Sequence, residues 1–171
     1  MQNSRFLFIF GYFLILKITN DRMSKNRIPE AFMFKKTRTV KVQIIILSRR
    51  LQINEVFFLV QDSNKFTSDT ICAVFMPQWN AIILNRDWLM EAGDLEINYV
   101  IAHEMRHVYQ YLLITNQKNS TNIPESVIQR WKIEFENYTM PDGLNSVGYR
   151  KQEIEIDAYN YAMAFVDSNG Y

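Results

Sequence analysis

VIAHEMRHVYQ, residues 100–110, carries both histidines of the chain, His103 and His107, four residues apart with Glu104 directly after the first. Apolar residues surround them: Tyr99, Val100, Ile101, Ala102, Val108, Leu112, Leu113 and Ile114. Such a stretch reads as a helix buried nearly all round, starting after Gly93 with Asp94 as its cap and running to about Asn116. Each residue advances a helix by about 100°, so His103 and His107 lie about 40° apart, one above the other. Two unpaired imidazoles on a buried helix are costly unless something satisfies them.

The rest of the chain sorts around this helix. At 171 residues, 48% of them hydrophobic and 14% aromatic, the composition is that of a folded domain with a real core. Upstream, EVFFLVQ (55–61), ICAVF (71–75) and NAIILN (80–85) are rich in β-branched and aromatic residues. Asp62-Ser-Asn and Pro77 separate them, which predicts a small antiparallel sheet. TRTVKVQIIILSRRLQ (37–52) is ambiguous by pattern and is read as a helix. Asn85 caps a short helix, RDWLMEA, that Gly93 stops. Pro124 opens another, with Val127, Ile128, Trp131, Phe135 and Tyr138 at helical spacing. A last helix is expected from about Tyr149 to Asp167. Sheet first and helices after predicts an α+β fold, with residues 23–171 as one domain.

Residues 1–22 stand apart. The apolar run from Phe6 to Leu16 is shorter than the roughly 20 residues that span a bilayer. It resembles a signal-peptide core, but no small-x-small cleavage site follows. It reads as a weak membrane anchor or as sequence ahead of the functional start, since Met23 opens an ordinary polar N-terminus, MSKNRIPE. Net charge is only +1, yet residues 1–50 hold eleven Lys/Arg against Asp21 and Glu30, about +9, leaving about −8 downstream. That reads as a solvated basic arm, since no RNA- or DNA-binding motif accompanies it. One cysteine, Cys72, excludes an internal disulfide framework and suits a reducing compartment. The expectation is a cytoplasmic monomer (membrane-associated in the alternative) that does not bind nucleic acid.

The HExxH spacing points to chemistry. Two imidazoles one turn apart can bind one ion, and a glutamate about 100° round can reach a water held on it. In such sites zinc acidifies the water and the glutamate takes its proton as general base, the role expected of Glu104. The third protein ligand cannot be a histidine, since none remains and Gln110 stands where HExxHxxGxxH has glycine. A carboxylate or Cys72 is left. RKQEIEIDAYNYA (150–162) offers Glu153 and Asp157, four apart on one face beside the stripe Ile154, Ala158, Tyr161 and Phe165. On that reading Glu153 binds the metal, Asp157 accepts a histidine N–H, and Glu155 points nearly the opposite way.

HEMRH followed 46 residues later by ExxxDA resembles the gluzincin zinc metallopeptidases. More narrowly, it is similar to the minimal phage- and bacteria-associated domains related to the ImmA/IrrE group. Asn-x-Ile-x-Leu-Asn ahead of the helix, HExRHxYQ and QEIEIDAYNYA carry the likeness, over roughly residues 70–166. The resemblance implies Zn2+ held by His103, His107 and Glu153, with Glu104 as base and Asp157 supporting His103. Larger gluzincins add a transition-state His or Tyr from a second domain; here Tyr138 and Tyr149 are the candidates. By fold analogy, the free edge of NAIILN would hold an extended peptide, which makes the expected substrate a peptide or protein. A metal-stabilised regulatory module without proteolysis is the alternative.

Overall fold

The backbone hydrogen-bond needs of the three short apolar runs are met by pairing them around the most apolar one. In the computed structural model, which describes residues 30–68, 70–119, 122–139 and 147–168, β1 (Phe57–Gln61), β2 (Ala73–Met76) and β3 (Ala81–Asn85) form one sheet. The order is β1-β3-β2, so β3 lies in the middle and all five of its residues are buried. β2 and β3 are antiparallel, with Phe75 opposite Ile82, joined by a tight turn over Pro77–Trp79. The turn ends at Asn80 in the left-handed region (φ 46°), a conformation asparagine tolerates better than most residues. β1 runs parallel to β3, Phe57 opposite Ala81 and Gln61 opposite Asn85.

The α+β class is therefore as expected, but the sheet is mixed rather than antiparallel. The parallel pairing also gives β3 a neighbour on each side. NAIILN has no free edge to offer a peptide, and the open edge on one side of the sheet belongs to β2.

Helices supply the rest. α1 (Glu30–Leu51) contains the ambiguous 37–52 stretch up to Leu51 and buries Val40, Ile44 and Leu47. Tertiary packing has overridden the β-branched residues' preference there. α2 (Arg86–Glu91) begins as predicted, with the Asn85 side chain accepting the Asp87 N–H at 3.0 Å. Buried Asn85 also donates to Ile71 O at 2.9 Å, so one side chain ends β3 and starts α2. α3 (Asp94–Ile114) is capped from Gly93, with Asp94 already inside its first turn. It forms the centre of the core through Ile97, Ile101, Ala102, Met105 and Val108, each at most 1% exposed. Each large apolar side chain so buried contributes roughly 1.5–3 kcal/mol. α1 packs on one side of α3, the last helix on another, and β2 against it as well.

The expected helix from Tyr149 to Asp167 is two helices, α5 (Val147–Lys151) and α6 (Glu153–Ser168), broken at Gln152. Gln152 is buried and its side chain pairs with Thr139, accepting from the N–H at 2.8 Å and donating to the carbonyl at 3.0 Å. Glu134, on α4 (Glu125–Glu136), accepts the N–H groups of Glu153 (2.9 Å) and Ile154 (2.8 Å). A carboxylate on the unpaired N–H groups of a helix start is favourable on both hydrogen-bond and dipole grounds. It also fixes the rotation of α6, and with it which acidic residue faces α3. The expectations for residues 1–22 lie outside the described residues. Among the described residues, no helix is long and apolar enough to cross a membrane.

Candidate metal centre

α3 presents its two histidines as the sequence predicts. Their Nε2 atoms are 3.0 Å apart and their rings nearly perpendicular, at 86°. α6 runs antiparallel beside α3 and brings a carboxylate to them, but it is Glu155. Glu155 Oε2 lies 3.3 Å from His103 Nε2 and Oε1 lies 3.3 Å from His107 Nε2. Together His103, His107 and Glu155 form a group that could hold a metal ion, their ligand atoms all within 4.8 Å of one another. Glu155 is only 4% exposed, yet its Oε2 makes no hydrogen bond. Uncompensated polar atoms in a core call for a partner. Ligands about 2.0–2.1 Å from a tetrahedral zinc lie about 3.3 Å from each other, which these separations match. The donor set fits a metal.

The electrostatics point the same way. Burial pushes the Glu155 carboxyl upward, but charge on His107 and the close approach of both histidine rings outweigh it and hold it far below the usual range. Burial pushes His107 downward, yet the Glu155 charge and hydrogen bond, with help from Glu104 and Gln110, raise it to about 9. Glu155 is thus ready as a charged ligand. A cation held here would take the place of the proton that His107 otherwise carries.

The expected ligand Glu153 is elsewhere. It is exposed and accepts from Arg130 Nε at 2.7 Å. The apolar stripe of α6 has an acidic flank on each side: Glu153 and Asp157 on one, Glu155 on the other. Ile154, Ala158 and Phe165 pack against the core, and the flank that meets the histidines is the Glu155 one.

Asp157 does not touch His103 either. It accepts from Arg106 Nε (2.7 Å) and Nη2 (3.0 Å), and from Gln110 Nε2 (2.7 Å). Gln110, fully buried, also donates to Ile154 O at 2.9 Å. Its amide nitrogen is thereby committed, so its Oε1 faces His107 Nδ1 at 2.8 Å and accepts the proton there. That tautomer leaves the Nε2 lone pair for a ligand bond. Asp157 supports His107 through Gln110. Both Glu155 and Gln110 escape sequence reasoning, although Gln110 stands three residues after His107, on the same helix face. Gln110→Ala is expected to lower metal affinity roughly 10–100-fold, as losses of such supporting bonds do. Competition with a fluorescent chelator checks this; unchanged affinity would mean that the ring needs no help.

Tyr138 and Tyr149, expected as transition-state groups, both hydrogen-bond to Glu155. Tyr138 Oη donates to Oε1 at 2.5 Å. Burial first, then the Glu155 charge, raises both phenols well above their ordinary range, so they remain neutral donors. Cys72 is not part of the group: its Sγ contacts Thr70 O at 3.7 Å. Burial, Glu96 and Glu104 push its thiol up to about 11, away from the thiolate a metal would need.

Glu104 lies beside the group rather than in it. Its buried carboxyl accepts the backbone N–H of Phe75, on β2. Asn85 N donates to Cys72 O at 2.9 Å, which by alternation turns Ala73 and Phe75 away from β3, towards the open edge. Burial raises the Glu104 carboxyl above its ordinary value, against the lowering effect of the two histidines. No protein-family model, curated protein or solved structure matches this chain.

Proposed function

We propose that the chain is a zinc-dependent peptide hydrolase of the minimal gluzincin type. The observation that carries it is the buried His103–His107–Glu155 group with a second buried carboxylate, Glu104, one position along from His103. A purely structural zinc prefers four protein ligands and needs no base; three ligands and a free glutamate suit chemistry. Zinc held by these residues would supply a Lewis acid and lower the pKa of a coordinated water towards about 7. Glu104, raised by burial, is a stronger base than an ordinary carboxylate and suits the role of proton acceptor. Gln110 and Asp157 hold the His107 ring, and Tyr138 and Tyr149 hold Glu155. The open edge of β2 runs beside Glu104 and can align an extended peptide by strand addition, taking over the part first given to NAIILN.

The test is metal content together with activity of the purified full chain. About one zinc per chain is expected, with cleavage of a mixed peptide library that a chelator stops and added zinc restores. Zinc-loaded protein that cleaves no peptide would replace this reading with that of a metal-stabilised regulatory module.

A further inference from the structure

The two rows of side chains that build the metal centre do not end there. On α3, His107, His103, Tyr99 and Leu95 follow one another at four-residue steps; on α6, Glu155, Tyr159 and Met163 do the same. Four-residue steps keep side chains on one helix face. The helices are antiparallel, so the rows run side by side, ligands at one end and apolar side chains at the other. Contacts join them: Tyr99 stacks on His103, with ring centroids 6.5 Å apart and planes 28° apart. Tyr159 meets Tyr99 edge-on at 6.1 Å.

An apolar stripe at helical spacing ordinarily belongs to a core. This one does not. Tyr159 is 52% exposed, Leu95 49% and Met163 40%. An aromatic and aliphatic wall is therefore open to solvent in direct continuation of the metal ligands. We propose that Tyr99 and Tyr159 are specificity-determining residues, which seat an aromatic or long aliphatic side chain next to the bond held at the metal. This rests on the proposed hydrolase reading and names its substrate class: peptide segments with a large apolar residue beside the scissile bond. The rings would meet a substrate ring edge-on, as they meet each other, an arrangement that adds to plain burial.

Binding of two hydroxamates to the zinc-loaded full chain tests this without relying on turnover. Phenylalanine hydroxamate and glycine hydroxamate share the metal-binding group and the amine and differ only in the benzyl group. Phenylalanine hydroxamate is expected to bind at least roughly tenfold more tightly by calorimetry. Tyr159→Ala, at an exposed position, should bring the two within about twofold while leaving zinc content and glycine hydroxamate binding unchanged; Tyr159→Phe should keep the preference. Equal binding by the unsubstituted chain, or a preference that survives Tyr159→Ala, overturns the proposal. The preference holding in a protein that cleaves no peptide would support the wall and count against hydrolysis alone. Failure of glycine hydroxamate to bind would overturn the open metal site, and the wall with it.

Discussion

Glu155→Ala is expected to abolish zinc binding, and Glu153→Ala to leave it within about twofold. Glu155 carries a carboxylate oxygen 3.3 Å from each histidine Nε2, in a pocket where it is 4% exposed. Removing it leaves two imidazoles, fewer than the three protein ligands of catalytic zinc sites. The loss should exceed the roughly 10–100-fold that follows from removing a group that only supports a ligand. Glu153 is an exposed partner of exposed Arg130, and such pairs contribute about 0–1 kcal/mol at most. Chelator competition on the two variants decides between the acidic flanks of α6. Zinc lost with Glu153 and kept without Glu155 would mean that α6 is turned by about half a revolution from the structure described here.

That outcome bears on how far the sequence could be read. The helix of HEMRH, the short helix after Asn85 and the three strands were legible because turn residues and caps bound them locally. The pairing of the strands was not, since nothing within EVFFLVQ states that its partner is parallel. A buried run such as AIILN is apolar on both faces, which fits a central strand, yet NAIILN was expected to offer a free edge. The pair His103 and His107 was legible because helical geometry alone brings them together. The third ligand depends on the rotation of another helix. Glu153, Glu155 and Asp157 all lie beside the stripe of Ile154 and Ala158, and periodicity ranks neither flank above the other. The rotation is set by Glu134 on the N–H groups of Glu153 and Ile154 and by Gln152 on Thr139, contacts between elements far apart in sequence. The resemblance to ExxxD pairs pointed to Glu153 and Asp157; in this chain the residue four after the facing glutamate is Tyr159.

Glu104→Gln is expected to keep the zinc and the fold and to lower kcat roughly a hundred- to ten-thousandfold, the usual worth of a positioned general base. Glu104 is outside the His103–His107–Glu155 group, so its replacement removes no ligand. The glutamine oxygen can still accept the Phe75 N–H, so the tie between α3 and β2 survives. What the amide cannot do is take a proton. The sign of the stability change is also fixed. Burial raises the Glu104 carboxyl above its ordinary 4.5, so at neutral pH its charge opposes folding, and a neutral amide removes that cost. Melting of the metal-free variant at or above the temperature of the metal-free unsubstituted protein is therefore expected, and the difference should fade as pH falls towards 4.5. Metal analysis, a melting curve and a peptide-cleavage rate on one preparation separate the possibilities. Loss of zinc would make Glu104 a ligand, whereas full activity would give the proton to some other acceptor. Only zinc retained, fold retained and rate lost assign the proton transfer to this carboxylate.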